Sequence, residues 1–291
     1  MTKLLAGVLT AALAALFGSA ALPQASSQAP AIPDSVSIES NIAYDHYPET
    51  VLDILQPKVA SKEKRPGVIV IHGGGWVNGT KEQQVESYCL RYVEKGFVVC
   101  NVEYRLAKAA TAPAAVTDVL NAANWFEDHA KKYNVDTKRI VVTGGSAGGH
   151  LSLMVGMTPK SAKLGPPAKV AAVVNFYGIT DVADQLGGPH MKEYAVTWLP
   201  EQQGRLEMAS RVSPMTYVRK GLPPILTIHG DADPTVPYEH GVRLVKALRD
   251  DGGDAELVSV PQGEHGFPKA TVDEIYERNI WPFLRKHRVL K

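Results

Sequence analysis

Residues 140–156 read IVVTGGSAGGHLSLMVG, and this segment carries the most specific structural signal in the chain. The β-branched run 140–143 predicts a buried strand, and the apolar stretch 150–156 predicts a helix. Between them, Ser146 fits the pattern Gly-x-Ser-x-Gly, in which a tight strand-to-helix turn forces the serine hydroxyl outward. The flanking glycines tolerate the backbone angles and close approach of such a turn. An ordinary glycine-rich turn is the alternative, but the strand before it and the helix after it favour a nucleophilic serine.

Short apolar runs alternate with helical segments on both sides of this stretch. Eight runs predict strands, at residues 37–43, 51–55, 68–72, 97–103, 140–143, 170–176, 225–229 and 257–260. Continuous apolar runs such as 171–174 suit parallel strands that are covered on both faces. We therefore expect an α/β fold with an about eight-stranded, mostly parallel sheet and helices on both faces. The first two strands are joined by a short loop, so we expect them to pair antiparallel at one edge.

The composition is that of a protein with one large core. The chain has 291 residues, 45% of them hydrophobic, with 31 basic residues, 30 acidic residues and 2 cysteines. The balance of charge gives no electrostatic reason to expect nucleic acid or an anionic membrane as a partner. So few cysteines exclude a disulfide-rich scaffold and a zinc site built from cysteines alone. We expect one catalytic domain over residues 35–291, with a small lid-like insertion at about residues 181–221.

The N-terminus has the pattern of a secretory signal peptide over residues 1–21, with one lysine, an Ala- and Leu-rich run and small residues before a break. An uncleaved anchor is the alternative, but the apolar run is shorter than the ~20 residues that a spanning helix needs. Residues 22–34 predict a flexible leader. We therefore expect a secreted or periplasmic protein with no stable membrane anchor after cleavage. In that oxidising compartment, Cys89 and Cys100 are either bridged or, as we favour, two buried thiols.

An acid and a base follow the serine in chain order. Residues 228–237 read IHGDADPTVP and place Asp233 on the loop after a predicted strand, where it can meet a histidine of the next loop. Asp231 is the competing acid, but it is better placed to stabilise the turn itself. His265 lies between glycines after the last predicted strand. Since nucleophile, acid and base occur in this order on successive strand-end loops, Ser146, Asp233 and His265 are the candidate catalytic residues.

A second glycine-rich stretch, HGGGW at residues 72–76, directly follows a predicted strand. Glycines there can turn backbone N–H groups toward one point, as stabilisation of a tetrahedral intermediate requires. We predict the amides of Gly74, Gly75 and Ala147 as oxyanion donors, with the amide of Trp76 as an alternative. A phosphate-binding loop is excluded, because neither a Gly-Lys-Ser/Thr ending nor Gly-x-Gly-x-x-Gly is present. No cofactor is implied, and no spacing of His, Asp and Glu indicates a metal site.

Aromatic residues near these motifs are candidates for the walls of the substrate pocket. We expect Trp76, Tyr177, Trp198 and Phe267 to bind substrate, with Tyr194 as a further candidate. Ordinary core or lid packing is the alternative for each of them. A pocket with aromatic walls suits a feruloyl ring or a sugar, whereas an acetyl group needs less room.

From residue 68 to residue 267 the chain resembles the α/β-hydrolases, and more narrowly their hormone-sensitive-lipase-like and bifunctional feruloyl/acetylxylan esterase-like branches. The shared motifs are HGGGW at 72–76, YRL at 104–106, PAA at 113–115 with Asp118, SAGGH at 146–150, Ser213-Pro214, and His229-Gly230 ahead of the acid. Two positions depart from the family: Gly145 stands where an acidic residue is frequent, and residues 108–112 lack the usual proline. Only 13 residues separate the signal peptide from Ser35, which leaves no large helical cap and favours the second branch.

The resemblance implies a serine carboxylesterase that hydrolyses short-acyl, acetyl or feruloyl esters, including those on plant cell-wall polysaccharide. Ser146 would attack the ester carbonyl, and His265, held by Asp233, would take and return the proton. The expected partner is a small-molecule or polysaccharide-linked ester. Two alternatives are open. A prolyl-oligopeptidase-like peptidase shares the pattern of residues 229–237 but carries a further specificity domain, and a non-catalytic binding protein is opposed by the intact triad.

Overall fold

The computed structural model describes residues 31–291, so the predicted signal peptide (1–21) and residues 22–30 of the predicted leader lie outside the described residues. One mixed sheet forms the centre of the fold. Its strands are β1 (Val36–Ala43), β2 (Val51–Pro57), β3 (Arg65–Ile71), β4 (Val98–Val102), β5 (Val135–Gly145), β6 (Ala172–Phe176), β7 (Ile225–Gly230) and β8 (Ala255–Val260). The predicted about eight-stranded sheet is confirmed, and each predicted strand overlaps an observed one.

The strands are arranged in the order β1-β2-β4-β3-β5-β6-β7-β8. β2 pairs antiparallel with β1, as expected for the first two strands, and it also pairs antiparallel with β4. All remaining neighbours are parallel. In the β3–β5 pair, Ile71 lies opposite Gly144, so the loops that follow these two strands begin side by side. β7 and β8 also end level with each other, which brings their loops to the same edge of the sheet.

Helices cover both faces, as predicted. Within the described residues the α-helices are α1 (Leu90–Glu94), α2 (Ala114–Asp128), α3 (Ala147–Met157), α4 (Glu193–Trp198), α5 (Arg205–Arg211), α6 (Glu239–Asp250), α7 (Lys269–Ile275) and α8 (Trp281–Lys286). A π-helical turn, Val85–Cys89, leads into α1, and another, Tyr276–Ile280, joins α7 to α8. The segment expected to form a lid contains α4 and α5.

Two apolar layers sandwich the sheet, because successive side chains of a strand point to opposite faces. In β3, Ile69 and Ile71 belong to the layer of α2, α3 and α6, whereas Val68 and Val70 belong to the layer of α1, α7 and α8. The central strands are therefore apolar on both faces, which explains why their sequences show continuous rather than alternating hydrophobicity.

Two further expectations concern the cysteines and the membrane. Cys89 and Cys100 are both buried and unbridged, which is the alternative that we favoured. In the part of the chain that the structure describes, we find no helix with the length and apolar character needed to span a bilayer.

Candidate active site

Ser146 occupies the tight turn between β5 and α3. Its backbone has φ 58° and ψ −121°, a positive-φ conformation that costs a residue with a side chain about 1–3 kcal/mol. A hydrogen bond from the Ser146 N–H to the Phe176 carbonyl, 2.9 Å long, holds the turn. Gly148 is required here, because a Cβ at this position would lie 2.1 Å from the carbonyl oxygen of Ile71. The turn directs the Ser146 side chain into a cavity at the carboxyl edge of the sheet.

The structure brings Ser146, Asp233 and His265 together. The Ser146 hydroxyl lies 2.8 Å from Nε2 of His265, and Nδ1 of the same ring lies 2.8 Å from Oδ2 of Asp233. Because Nδ1 faces a carboxylate, it carries the proton, and Nε2 is left as the acceptor for the serine hydroxyl. The three residues therefore form a continuous path for a proton from the serine oxygen to a histidine that is oriented by a carboxylate.

Asp233 is buried, and its surroundings favour the ionised form. Burial alone would raise its pKa, but hydrogen bonds from His229 and His265, the charge of His265 and the Thr235 N–H together hold the pKa well below its usual value. The Thr235 and Val236 N–H groups donate to Oδ1 at 2.8 and 3.0 Å, which leaves Oδ2 for the imidazole.

The competing acid, Asp231, is exposed and lies away from the imidazole. Its carboxylate accepts a hydrogen bond from the Gln262 N–H at 2.6 Å, which ties the loop after β7 to the loop after β8. The structure thus places Asp233 in contact with His265 and gives Asp231 a role in holding the two loops together.

The HGGGW loop passes beside the serine. Gly74 and Gly75 have φ of 108° and 59°. A hydrogen bond of 2.9 Å from the Asn78 N–H to the Gly74 carbonyl closes the loop. Both glycines line the cavity. Within residues 31–291, no carbonyl accepts a hydrogen bond from the N–H groups of Gly74, Gly75 or Ala147. These three amides are therefore available to an oxyanion formed at Ser146, and the Trp76 N–H likewise has no carbonyl partner among the described residues.

A polar contact behind this loop was not foreseen from the sequence. His72 is fully buried, with Nε2 at 2.9 Å from Oε1 of Glu103 and Nδ1 at 2.8 Å from the Gly73 carbonyl. The other oxygen of Glu103 accepts a hydrogen bond from the Lys81 N–H at 3.0 Å, and the Tyr104 hydroxyl donates to the His72 carbonyl at 3.1 Å. His72 and Lys81, which flank the glycine loop, are thereby anchored to Glu103 and Tyr104, the two residues that directly follow β4.

The cavity has a volume of about 520 Å³. Of the aromatic residues predicted as its walls, Tyr177 and Tyr194 line it, whereas Phe267 lies behind Tyr177 with a ring-centroid distance of 5.4 Å. Much of the remaining wall is polar and was not predicted from the sequence: it consists of Asn78, Gln83, Gln84, Tyr88 and Thr235. These residues lie on irregular segments, where no periodic pattern indicates which way a side chain faces.

The prediction that Trp76 and Trp198 bind substrate is wrong. Both rings are fully buried and stack on each other at a centroid distance of 4.1 Å, beneath the cavity and not on its wall. The Trp76 indole donates to Nδ1 of His150 at 3.1 Å, and Nε2 of His150 donates to the Val212 carbonyl at 2.7 Å. Burial lowers the pKa of His150 to about 4, so the ring is neutral and fits both contacts.

The inserted segment is joined to the acid loop through a buried glutamine. Oε1 of Gln185 accepts a hydrogen bond from the Tyr194 hydroxyl at 3.0 Å, and its Nε2 donates to the Thr235 carbonyl at 3.1 Å. Thr235 in turn donates its N–H to Asp233. One wall of the cavity is therefore connected to the carboxylate that orients the imidazole.

No group of metal-ligating side chains occurs at this cavity within residues 31–291. The cluster of His, Asp and Glu that the described residues do contain is Asp254, Glu256 and His287, at the opposite end of β8. Lys286 already contacts both carboxylates there, at 3.2 and 2.8 Å.

The sequence matches one protein family and is similar to several curated proteins. The sequence profile of the BD-FAE family matches residues 52–248. Esterase LipQ of Mycobacterium tuberculosis is 29% identical to the chain, over 76% of the chain and 55% of LipQ. The probable carboxylic ester hydrolase LipM of the same bacterium is 30% identical, over 72% of the chain and 52% of LipM. The chain spans about half the length of these curated relatives.

Solved structures give the same fold. A truncated carbohydrate esterase from gut microbiota superposes with a TM-score of 0.76 and is 29% identical, over 89% of this chain and 99% of that one. The bifunctional GH43-CE of Bacteroides eggerthii has a TM-score of 0.75 and 27% identity, over 86% of this chain and 38% of that one. A thermophilic esterase of Thermogutta terrifontis with bound butyrate has a TM-score of 0.72 and 26% identity, over 88% of this chain and 96% of that one.

Proposed function

The chain belongs to the BD-FAE family and has the α/β-hydrolase fold, and from this premise we propose that it is a serine carboxylesterase. The observation that carries the proposal is the pair of 2.8 Å contacts through which His265 joins the Ser146 hydroxyl to the Asp233 carboxylate. The relatives named above are esterases or ester hydrolases, which supports the same reaction class.

In the proposed reaction, His265 removes the proton from the Ser146 hydroxyl as the serine oxygen attacks the ester carbonyl carbon. Asp233 keeps the imidazole in the required tautomer and stabilises its positive charge. The amides of Gly74, Gly75 and Ala147 bind the carbonyl oxygen as it becomes negative. His265 then gives the proton to the leaving alcohol, and a water molecule, activated by the same imidazole, releases the acid from Ser146.

We propose short-acyl esters of hydroxylated alcohols as substrates, including acetyl or feruloyl esters on plant cell-wall polysaccharide. The carbohydrate esterase of gut microbiota and the GH43-CE protein support this class by their likeness to the chain. The cavity supports it as well, because carboxamides (Asn78, Gln83, Gln84) and tyrosine hydroxyls (Tyr88, Tyr177) form much of its wall.

The proposed function is tested with p-nitrophenyl acetate, methyl ferulate, acetylated xylan and a proline anilide, assayed side by side. We expect hydrolysis of at least one ester and none of the anilide. Ser146→Ala should abolish turnover while the far-UV circular dichroism spectrum and melting temperature stay close to those of the wild type. Undiminished ester hydrolysis by that variant would overturn the proposal, and cleavage of the anilide alone would assign the site to a peptidase.

We also propose that the protein is exported and cleaved after Ala21 or Ala20, as the sequence of residues 1–21 suggests. Expression of the full chain in a bacterial host, followed by fractionation and N-terminal sequencing, tests this. The expected product is extracytoplasmic and begins at Leu22 or one residue earlier. A cytoplasmic product that retains the apolar run would contradict it.

A further inference from the structure

Gly145 directly precedes Ser146, and neighbouring side chains, not its backbone conformation, leave no room for a side chain at this position. Its φ lies outside the left-handed region, so a side chain would cause no backbone strain. A Cβ at this position would instead lie 2.9 Å from the Tyr88 hydroxyl oxygen and 3.1 Å from the Tyr177 hydroxyl oxygen. Two phenol groups therefore converge on the space that a side chain at position 145 would occupy.

The two hydroxyls face the cavity as a hydrogen-bonded pair, in which one proton lies between the two oxygens and the other is free for a ligand. Tyr88 and Tyr177 line it together with Ser146. Burial raises the pKa of each hydroxyl, so both are protonated. The Tyr194 hydroxyl, on the same cavity, donates to Gln185, whereas no carbonyl or carboxylate of the described residues 31–291 takes the proton of either Tyr88 or Tyr177.

Irregular backbone holds both tyrosines in place. Tyr88 lies in the π-helical turn Val85–Cys89, a type of distortion that is frequent at functional sites. Tyr177 has φ 39°, which is unusual for a residue with a side chain, and its N–H donates to the Ile228 carbonyl at 2.8 Å. Two independent departures from regular structure thus aim two hydroxyls at one point beside Ser146.

The position of His265 shows which half of an ester these hydroxyls would meet. The imidazole must reach the oxygen of the leaving alcohol to protonate it. The Tyr177 ring lies beside that imidazole, with ring centroids 4.8 Å apart. The other flank of the site is the oxyanion loop, where Tyr194 contacts Gly75. The hydroxyl pair is therefore on the side of the leaving alcohol.

We propose that Tyr88 and Tyr177 form a subsite that binds a hydroxyl group of the alcohol half of the ester, next to the bond that is cleaved. This inference rests on the proposed esterase function. The subsite favours esters of vicinal diols, such as sugar esters, over esters of apolar alcohols, because only the former carry a hydroxyl that can accept the free proton of the pair and donate to one of its oxygens.

The test uses two acetates that share a six-membered ring and a secondary alcohol but differ in hydroxyl groups: a monoacetylated methyl xyloside and cyclohexyl acetate. The readout is the ratio of their kcat/KM values. Tyr88→Phe and Tyr177→Phe should each lower this ratio about fivefold, as expected for loss of one neutral hydrogen bond, and the double variant should lower it further. In each variant kcat/KM for cyclohexyl acetate should fall much less than that for the xyloside. Tyr133→Phe, which removes a hydroxyl on the opposite side of the molecule near Glu39, is the matched control and should leave both values unchanged.

Equal losses on both substrates in the double variant would overturn the subsite, because they would indicate a general disturbance of the cavity. A ratio that stays at the wild-type value would also overturn it. Wild-type protein that hydrolyses neither acetate, and none of the esters named earlier, would instead count against the proposed function.

Discussion

The catalytic edge (Gly74, Gly75, Ser146, Asp233 and His265) and the tryptophan layer (Trp76, His150 and Trp198) are neighbours, yet they use their polar atoms in opposite ways. At the catalytic edge, backbone amides and the serine hydroxyl face a cavity, and the backbone of Ser146 is strained. In the tryptophan layer, the two nitrogens of His150 are both occupied by protein partners in a site closed to water.

This contrast separates two kinds of energetic contribution. Groups at the catalytic edge keep unused hydrogen-bonding capacity for a transition state, so their loss should appear mainly in turnover. Groups in the tryptophan layer fill space, and the Trp76 indole and His150 are paired within the protein, so their loss should appear mainly in the free energy of unfolding. The four variants below test that separation.

The largest effect is expected for Asp233→Asn at the catalytic edge. The amide leaves the shape of the site intact but favours the wrong imidazole tautomer, which lowers kcat about 10⁴-fold in triads of this kind. Asp231→Asn is the matched control and should change kcat far less, because the Asp231 carboxylate accepts the Gln262 N–H and not a proton of the imidazole. Steady-state kinetics on a short-chain ester measure both. A similar loss in the two variants would break the assignment of the acid.

Trp198→Ala should produce the largest effect in the tryptophan layer. Removal of a fully buried indole that stacks on Trp76 should lower the free energy of unfolding by about 3–5 kcal/mol. Chemical denaturation measures this loss, and kcat of the remaining folded protein should fall much less than in Asp233→Asn. Trp125→Ala, which removes a half-buried indole stacked on His129, should cost less stability. A loss of turnover without a loss of stability in Trp198→Ala would contradict the comparison.

His150 gives the tryptophan layer a pH dependence. Because burial lowers its pKa to about 4 in the folded state, the unfolded state binds a proton at higher pH than the folded state does. Stability contributed by the neutral ring is fully present above its unfolded pKa of about 6.5 and is lost as pH falls toward 4, by about 3 kcal/mol in total.

His150→Gln keeps a donor and an acceptor but removes this titration. Its unfolding free energy should therefore fall less steeply than that of the wild type between about pH 6.5 and 4. Urea denaturation at several pH values provides the measurement, and above pH 7 the two curves should run parallel. Identical slopes across the acid range would show that the ring does not bind its proton preferentially in the unfolded chain.

The smallest effect is expected at Tyr194, which touches both regions. Its ring lies 6.0 Å from that of Trp76 and also lines the cavity, and its hydroxyl donates to Gln185. Tyr194→Phe should lower the unfolding free energy by about 1 kcal/mol, as for one lost hydrogen bond, and raise KM a few-fold through Gln185 and Thr235. A fall in kcat as large as that of Asp233→Asn would place Tyr194 at the catalytic edge instead.

The sequence was most informative where local pattern and position coincide. The strand run 140–143, the turn around Ser146 and the following helix are local features, and the eight strands and the family resemblance are confirmed. The convergence of Asp233 and His265 on Ser146 follows from loops that leave the same edge of a parallel sheet. That edge is a property of the fold and needs no knowledge of individual contacts.

The errors came from questions that local pattern cannot answer. Trp76 directly follows Gly74 and Gly75 and has φ 60°. Its ring is turned into the core and lies beneath Tyr194. The hydrogen bond between His72 and Glu103 joins residues 31 positions apart. The position of β4 between β2 and β3 likewise depends on pairing between distant segments and has no signature within any one strand.

The catalytic edge is assembled from parts of the chain that a ribosome delivers at different times. Ser146 follows the fifth strand, whereas Asp233 and His265 follow the seventh and eighth. His265 is therefore synthesised 119 residues after the serine that it contacts. A chain that ends before His265 lacks the imidazole that contacts the Ser146 hydroxyl. Under the proposed mechanism, ester cleavage therefore requires that the last two strands have joined the sheet, and it can serve as an assay of completed folding.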